Sequence, residues 1–246
     1  MEKVGQHELY IGQDWGLFWG TFRANVEHRH YAIQLSISCD APIRVGTSND
    51  KEREFEAVLI KSNVKHRLAC EKKHLLLLFN PIGSIGHFLS QLNTNPIEEV
   101  QHDFVLPLKA ALKRLAQHED TFQAFLVNVE AQLVALSCTC EDERHFKDKR
   151  ILKALLYLAE QRDRVVPLVE IAKVCHLSPS RFLHLFKQEL GITYRRAQLW
   201  IKIQHSFPFL QHHTITETAY QFGFSDSAHY SKVFKQNFGL PPKLLK

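Results

Sequence analysis

The sequence predicts an α+β chain of two domains: a small N-terminal β-barrel or jelly roll backed by packing helices, then an all-α C-terminal domain. Three observations predict it. Short apolar runs alternate with turn-rich segments over the first eighty residues, one helical phrase is written twice near the C-terminus, and basic charge is gathered around that phrase. From Lys147 to Lys246 sixteen Lys and Arg face seven Asp and Glu, a net +9, whereas Met1 to Phe146 carries −4 within a chain total of +5. At 246 residues, 45% apolar and 23% charged, the chain is ordinary globular material with room for two separate cores. The expected boundaries are 1–136 for the first domain (barrel about 8–80, helices about 81–136), 137–149 for a linker and 150–246 for the second.

The runs GLFWGTF, YAIQLSIS, EAVLI and HLLLLF have strand length, and turn formers such as Gly46-Thr47-Ser48-Asn49-Asp50 separate them. Tyr31 to Ile37 alternates apolar with polar, as a strand with one face on a core requires, and a small barrel is the natural closure of several such strands. Trp19, Tyr31, Ile33, Leu35, Phe55 and Leu77 are the inward-facing candidates for an effector pocket, although periodicity alone does not separate pocket wall from plain core.

Within this stretch EHRHYAIQL, followed by IKSNVKHRL, resembles the two motifs of a cupin barrel. The resemblance implies that His28, His30 and His66 share a cavity, with Gln34 at the place of the family's carboxylate ligand. Three imidazoles suit a divalent transition metal, and an amide oxygen is a weaker donor than a carboxylate. The second motif lacks the glycines of the enzymatic pattern around Ser62-Asn63-Val64. No cofactor is therefore expected; a small effector in the cavity is the main reading, with a divalent metal, or histidines holding nothing, as the alternatives.

From Pro81 to Leu136 the period becomes helical. Ile85, Phe88, Leu89 and Leu92 are followed by Leu108, Leu112, Leu115, Phe122, Phe125, Leu126, Val129 and Leu133. Two or three helices follow, either covering the barrel or, on the heptad-like spacing of Leu106 to Leu136, pairing with a second copy in a homodimer. Ser137 to Lys149, SCTCEDERHFKDK, is polar and charged and reads as the linker.

The repeated phrase is LVEIAKVCHLSPSRFLHLFKQELG from Leu168 and ITETAYQFGFSDSAHYSKVFKQNFG from Ile215. Each copy has a short amphipathic helix, a tight turn and a second helix, which is helix-turn-helix grammar. Ser178 and Ser225 are the expected N-caps, Pro179 fits a first helical position, and Gly191 and Gly239 sit where helices stop. Phe182, Leu185 and Phe186, like Tyr230, Val233 and Phe234, fall on one face and should bury against the preceding helix. The segregated +9 supplies a field that displaces counterions from phosphates.

Residues from about Ile151 to Pro242 resemble the tandem helix-turn-helix domain of the AraC/XylS family of bacterial transcription regulators, most specifically in GFSDSAHYSKVFKQNFGLPP. The resemblance implies recognition helices at Ser178 to Glu189 and Ser225 to Asn237, joined by a helix from about Tyr194 and entering successive major grooves of promoter DNA. The base readers it implies are Ser180, Arg181, Leu183 and His184 in the first helix and Ser227, Ala228, His229, Ser231 and Lys232 in the second, with Arg181 or Lys232 suited to guanine. Lys187, Arg195, Arg196 and Lys235 would meet phosphates. RNA polymerase, a small-molecule effector and a second copy of the chain are the further partners it implies, with activation as the outcome. Pro208, inside WIKIQHSFPFLQHH, departs from the family and predicts a kink near Gln204 to Pro208 that alters the angle between the two heads.

Other classes receive little support. No glycine-rich phosphate loop or nucleophile elbow is present, so an enzyme is not expected. No apolar run approaches membrane-spanning length, and a cytoplasmic protein without a membrane partner is expected. Five cysteines form no paired framework, and Cys138-Thr139-Cys140 is too tightly spaced for the usual zinc loop.

Overall fold

The computed structural model describes residues 7–12, 14–21, 25–92, 94–136, 148–161 and 164–245. The chain divides into two compact units, residues 1–139 and 140–246. Most of the expected linker 137–149, including Cys138 and Cys140, lies outside the described residues.

The first unit holds β1 (Glu8–Ile11), β2 (Trp15–Gly20), β3 (Ile33–Ser38), β4 (Ile43–Gly46), β5 (Arg53–Phe55), β6 (Ala57–Ile60), β7 (Arg67–Ala69) and β8 (His74–Phe79). Helix α1 (Ser84–Leu92), strand β9 (Ile97–Glu99) and helices α2 (Val105–Ala116) and α3 (Phe122–Val134) follow. Six strands form one antiparallel sheet in the order β1-β2-β8-β3-β6-β9, and β5-β4-β7 form another. The expected barrel is thus two open sheets among the described residues. Alternation tells which face of a strand is buried, but not which strand lies beside it.

Strand β3 shows how the layers arise, because all six of its residues are buried. Ile33, Leu35 and Ile37 join Leu17 and Trp19 of β2 and Leu75, Leu77 and Phe79 of β8 in a core covered by Leu108, Leu112 and Leu115 of α2 and Phe125, Val129 and Leu133 of α3. The alternate residues Gln34, Ser36 and Ser38 lie on the opposite face, as the period of two demands. On that face the small sheet packs, through a second core of Ile43, Val45, Phe55, Val58, Ile60, Leu68 and Cys70. The unit is therefore helices, large sheet and small sheet in three layers. The heptad-like leucines expected at a dimer interface are spent inside this core, each such burial being worth about 1.5–3 kcal/mol; Leu106, Val127 and Val134 are the large apolar side chains of α2 and α3 left exposed.

The second unit is helical: α4 (Lys149–Glu160), α5 (Leu168–Val174), α6 (Pro179–Leu190), α7 (Tyr194–Leu210), α8 (Ile215–Gln221), α9 (Ser227–Phe238) and a 3-10 turn at Pro242–Leu245. Helix α4 packs on α5 and α6 as α7 packs on α8 and α9, so the duplication seen in sequence is one of three-helix units. Helix α7 runs unbroken through Pro208 to Leu210. The proline stands in the last turn, where its missing N–H leaves only the Gln204 carbonyl without its helical donor, and Phe207 and Leu210 on either side are buried. The expected interruption therefore does not end the helix.

Candidate nucleic-acid interface

The two helix pairs are built by the same local chemistry. In the first, α5 ends at Cys175, His176 takes the left-handed conformation at φ 53°, and Leu177 N–H donates to the Ala172 carbonyl at 2.9 Å. In the second, Gly223 takes that conformation at φ 65°, and Phe224 N–H donates to Ala219 at 2.8 Å. Both are Schellman-type stops, which satisfy carbonyls that a helix end would otherwise orphan. Ser178 then caps α6 by accepting from the Arg181 amide at 3.4 Å. Asp226, not the expected Ser225, caps α9, accepting from the His229 amide at 2.7 Å. Ser225 instead donates its hydroxyl to Asp226 and lies 3.1 Å from His229 Nδ1. A carboxylate is the better acceptor at a helix N-terminus, and the His229 amide, with Ser225, holds that carboxyl below its usual range. Left-handed Gly191 and Gly239 close both second helices.

The inner faces set the attitude of each second helix. Phe182 and Phe186 are wholly buried and meet the Tyr194 ring edge-on, while the Tyr194 hydroxyl donates to the Val166 carbonyl at 2.8 Å. Tyr230 and Phe234 are wholly buried in α9, and Phe207 of α7 stacks edge-on against Phe234 and Phe238. The Tyr230 hydroxyl, pushed up to about 12 by burial, lies 2.9 Å from Ser206 Oγ, which itself donates to the Ile203 carbonyl. Leu185 is half-buried and Val233 buried, so the expected inner faces hold.

On the outer faces Ser180, Arg181, Leu183, His184 and Lys187 of α6 are exposed, as are Ala228, Lys232 and Lys235 of α9. Ser227, His229 and Ser231 are half-buried on the flank of α9; Arg195 is exposed and Arg196 half-buried in the first turn of α7. The structure thus gathers two exposed basic stripes, Arg181-His184-Lys187 and Lys232-Lys235, on equivalent helices.

One residue that composition gives no reason to single out is Lys202. Its side chain is buried in α7, its ammonium donates to the Gly223 carbonyl at 3.0 Å, and it lies 5.6 Å from the Phe224 ring centre. Burial lowers its pKa. A β-carbon on Gly223 would come within 2.8 Å of that nitrogen, so lysine, glycine and turn fit as a set. The sequence signal is slight: a lone cation between Ile201 and Ile203.

In the first unit His28, His30 and His66 do converge: one ring nitrogen from each lies within 4.8 Å of the others, and all three are buried. His30 Nε2 is 3.1 Å and His66 Nε2 3.3 Å from Gln34 Oε1. Five of the six candidate pocket residues are divided between two cores. Trp19, Ile33, Leu35 and Leu77 belong to the core under the helices, Phe55 to the core between the sheets, and Tyr31 is buried as well. A cavity of about 470 Å³ instead opens beside Ser38, Cys39, Pro42, Glu56, Lys109 and Lys113. Large apolar residues signal burial without signalling space.

A helix-turn-helix domain model matches residues 171–246, which takes in both helix pairs. The C-terminal region is similar to AraC-type helix-turn-helix domains. An HTH-type transcriptional regulator of Haemophilus influenzae is 26% identical over 98 residues, 39% of this chain and 33% of that one. The transcriptional activator RhaS of an Enterobacter species is 26% identical over 170 residues, 65% of this chain and 59% of its own. The matches thus span a third to about three fifths of these relatives. Over the whole chain the fold is similar to that of ToxT from Vibrio cholerae, at TM-score 0.57 and 15% identity, covering 98% of this chain and 96% of ToxT. ToxT has also been solved with an unsaturated fatty acid bound, at TM-score 0.54, 15% identity and coverage of 100% and 97%. The shared architecture is a sheet-rich N-terminal domain followed by the AraC-type helices. Among the described residues no helix is long and apolar enough to cross a membrane.

Proposed function

We propose that the chain is a sequence-specific, DNA-binding transcription regulator, an activator, in which α6 and α9 form a pair of helix-turn-helix reading heads that enter successive major grooves of promoter DNA. The observation that carries this reading is the duplicated three-helix unit, whose equivalent second helices turn basic faces outward. Arg181 stands in the first turn of α6 and Lys232 in the second turn of α9, within the stretch of a recognition helix that meets base edges, and each suits guanine O6 and N7. Ser180, Leu183, His184, Ser227, Ala228, His229 and Ser231 flank them. Leu183 can offer only apolar contact, to a thymine methyl. Lys187, Lys235, Arg195 and Arg196 neutralise phosphates, each adding about one unit to the salt dependence of binding.

The N-terminal unit receives the signal in this reading. ToxT with a bound fatty acid supports a small-molecule effector, and the cavity beside Lys109 and Lys113, at about 470 Å³, has the volume of a ligand site. An effector acts by binding one arrangement of the protein more tightly than another. RNA polymerase and a second copy of the chain are the further partners of such a regulator. Selection of bound sequences from random duplex DNA tests the proposal: two half-elements about one helical turn apart are expected, and no enrichment above a Lys232→Ala control overturns it.

A further inference from the structure

We propose that His229 reads its base as a hydrogen-bond acceptor and so selects adenine or cytosine, whereas Arg181, at the equivalent place of the first head, selects guanine. This selectivity rests on α6 and α9 being reading heads, and it specifies what one place in each recognises. The equivalence is fixed by the caps. Ser178 accepts from the Arg181 amide and Asp226 from the His229 amide, so each residue stands three places after its cap, in the first turn of its helix.

A short relay of hydrogen bonds decides which ring nitrogen of His229 carries the proton. Asp226 Oδ1 accepts from the His229 amide at 2.7 Å, and its Oδ2 accepts from the Ser225 hydroxyl at 3.1 Å. A carboxylate has no hydrogen to give, so the single hydroxyl hydrogen of Ser225 is spent on Asp226. Ser225 Oγ also lies 3.1 Å from His229 Nδ1, and with its hydrogen committed it can only accept there. Nδ1 therefore carries the proton of the neutral ring, and Nε2 is left with a lone pair. The buried Phe224 ring braces the imidazole at 5.4 Å and 72°. Among the described residues Nε2 meets no hydrogen-bond partner.

In the major groove such a lone pair is matched by an exocyclic amino group, N6 of adenine or N4 of cytosine. Guanine O6 and N7 and thymine O4 offer it only further acceptors. A guanidinium is the converse, since it donates and never accepts, so Arg181 suits the bases that His229 rejects. One turn further along, His184 of α6 answers Lys232 of α9. The order of cation and imidazole is thus reversed between the two helices, Arg181 then His184 against His229 then Lys232. The two half-elements are then related but not identical, which keeps the first head from settling on the element that belongs to the second.

The test has two arms, both on the full chain. With its histidines ¹⁵N-labelled, long-range ¹⁵N–¹H correlation at about pH 8, above the ordinary imidazole range, should show the Nδ1–H tautomer for His229, whose signal is identified by its loss in His229→Arg. Ser225→Ala should return the ring to the Nε2–H form that unconstrained histidines favour. In the second arm each base pair of the duplex selected from random DNA is exchanged in turn. One position should prefer adenine or cytosine over guanine or thymine by about five- to tenfold, the worth of one hydrogen bond against an unpaired acceptor. Ser225→Ala should erase that preference, and His229→Arg should move it to guanine. An Nε2–H ring in the parent, or an Nδ1–H ring with no position whose preference responds to both variants, overturns the proposal while leaving the DNA-reading heads in place. A chain that enriches no sequence at all overturns both.

Discussion

The α4–α6 and α7–α9 units share a backbone plan but are held together differently. In the first, every buried side chain among the described residues is apolar or, at Cys175, a thiol that donates to the Arg150 carbonyl. The second buries Lys202, Ser206, Thr218 and Asn237 as well, and each has a partner: the carbonyls of Gly223, Ile203, Thr214 and Val233 respectively. A hydrogen bond adds little net stability, yet breaking one that is buried leaves its partner desolvated at about 1–3 kcal/mol. The second unit is therefore the more exactingly specified. The outer faces diverge further, with Arg181, Leu183 and His184 set against His229, Ser231 and Lys232.

The largest expected effect tests the common plan. Phe186→Ala and Phe234→Ala should each cost about 3–5 kcal/mol in chemical denaturation, because both rings are wholly buried at equivalent places; a much smaller loss at one would show that the two interiors are not equivalent. DNA affinity tests the outer faces next. Arg181→Ala and Lys232→Ala should each lose about 1–3 kcal/mol and relax preference at one base, measured by fluorescence anisotropy on a selected site. A loss confined to Lys232→Ala would leave α6 a positioning helix.

The turns give a smaller effect of opposite sign. Gly223→Ala should destabilise by about 1–2 kcal/mol, combining left-handed strain with the collision at Lys202, whereas His176→Gly should stabilise by about 1 kcal/mol by relieving the same conformation. Thermal melts of the two variants moving in the same direction would break the comparison. The smallest difference is in the caps. Asp226 has a depressed pKa, so its capping contribution is complete above the ordinary carboxylate value near 3.8 and fades as pH falls through the lower folded value. Ser178 has nothing to titrate. In an acid titration followed by amide NMR, the His229 resonance should shift while that of Arg181 stays.

What could be read from the sequence follows the same division. The inner faces of α6 and α9 were legible because aromatics recur at helical spacing and a glycine closes the C-terminal end of each helix. The α9 cap was not, since Ser225 and Asp226 are adjacent and both are cap formers; only geometry decides between them. Lys202 was hidden because a lysine reads as surface until its carbonyl partner is seen. In the N-terminal unit the histidine pattern was legible, but the pairing of strands was not, and β9, with two glutamates in three residues, carries no apolar signature at all. Pro208 predicts a kink from sequence, while its place in the last turn of α7 depends on where the following loop begins, which sequence does not mark.

Helix α7 has a consequence of its own. Tyr194 is rooted among Phe182 and Phe186, and Phe207 among Phe234 and Phe238, so one continuous rod sets the phase between the two units. Each residue added to or removed from it would slide one unit by about 1.5 Å and rotate it by about 100°. Single-residue length changes therefore scramble the geometry, and the smallest step that nearly restores the rotational phase is about two full turns, seven residues, with a slide of about 10.5 Å. The length of α7 is quantised, and substitutions along it are far easier to accommodate than insertions.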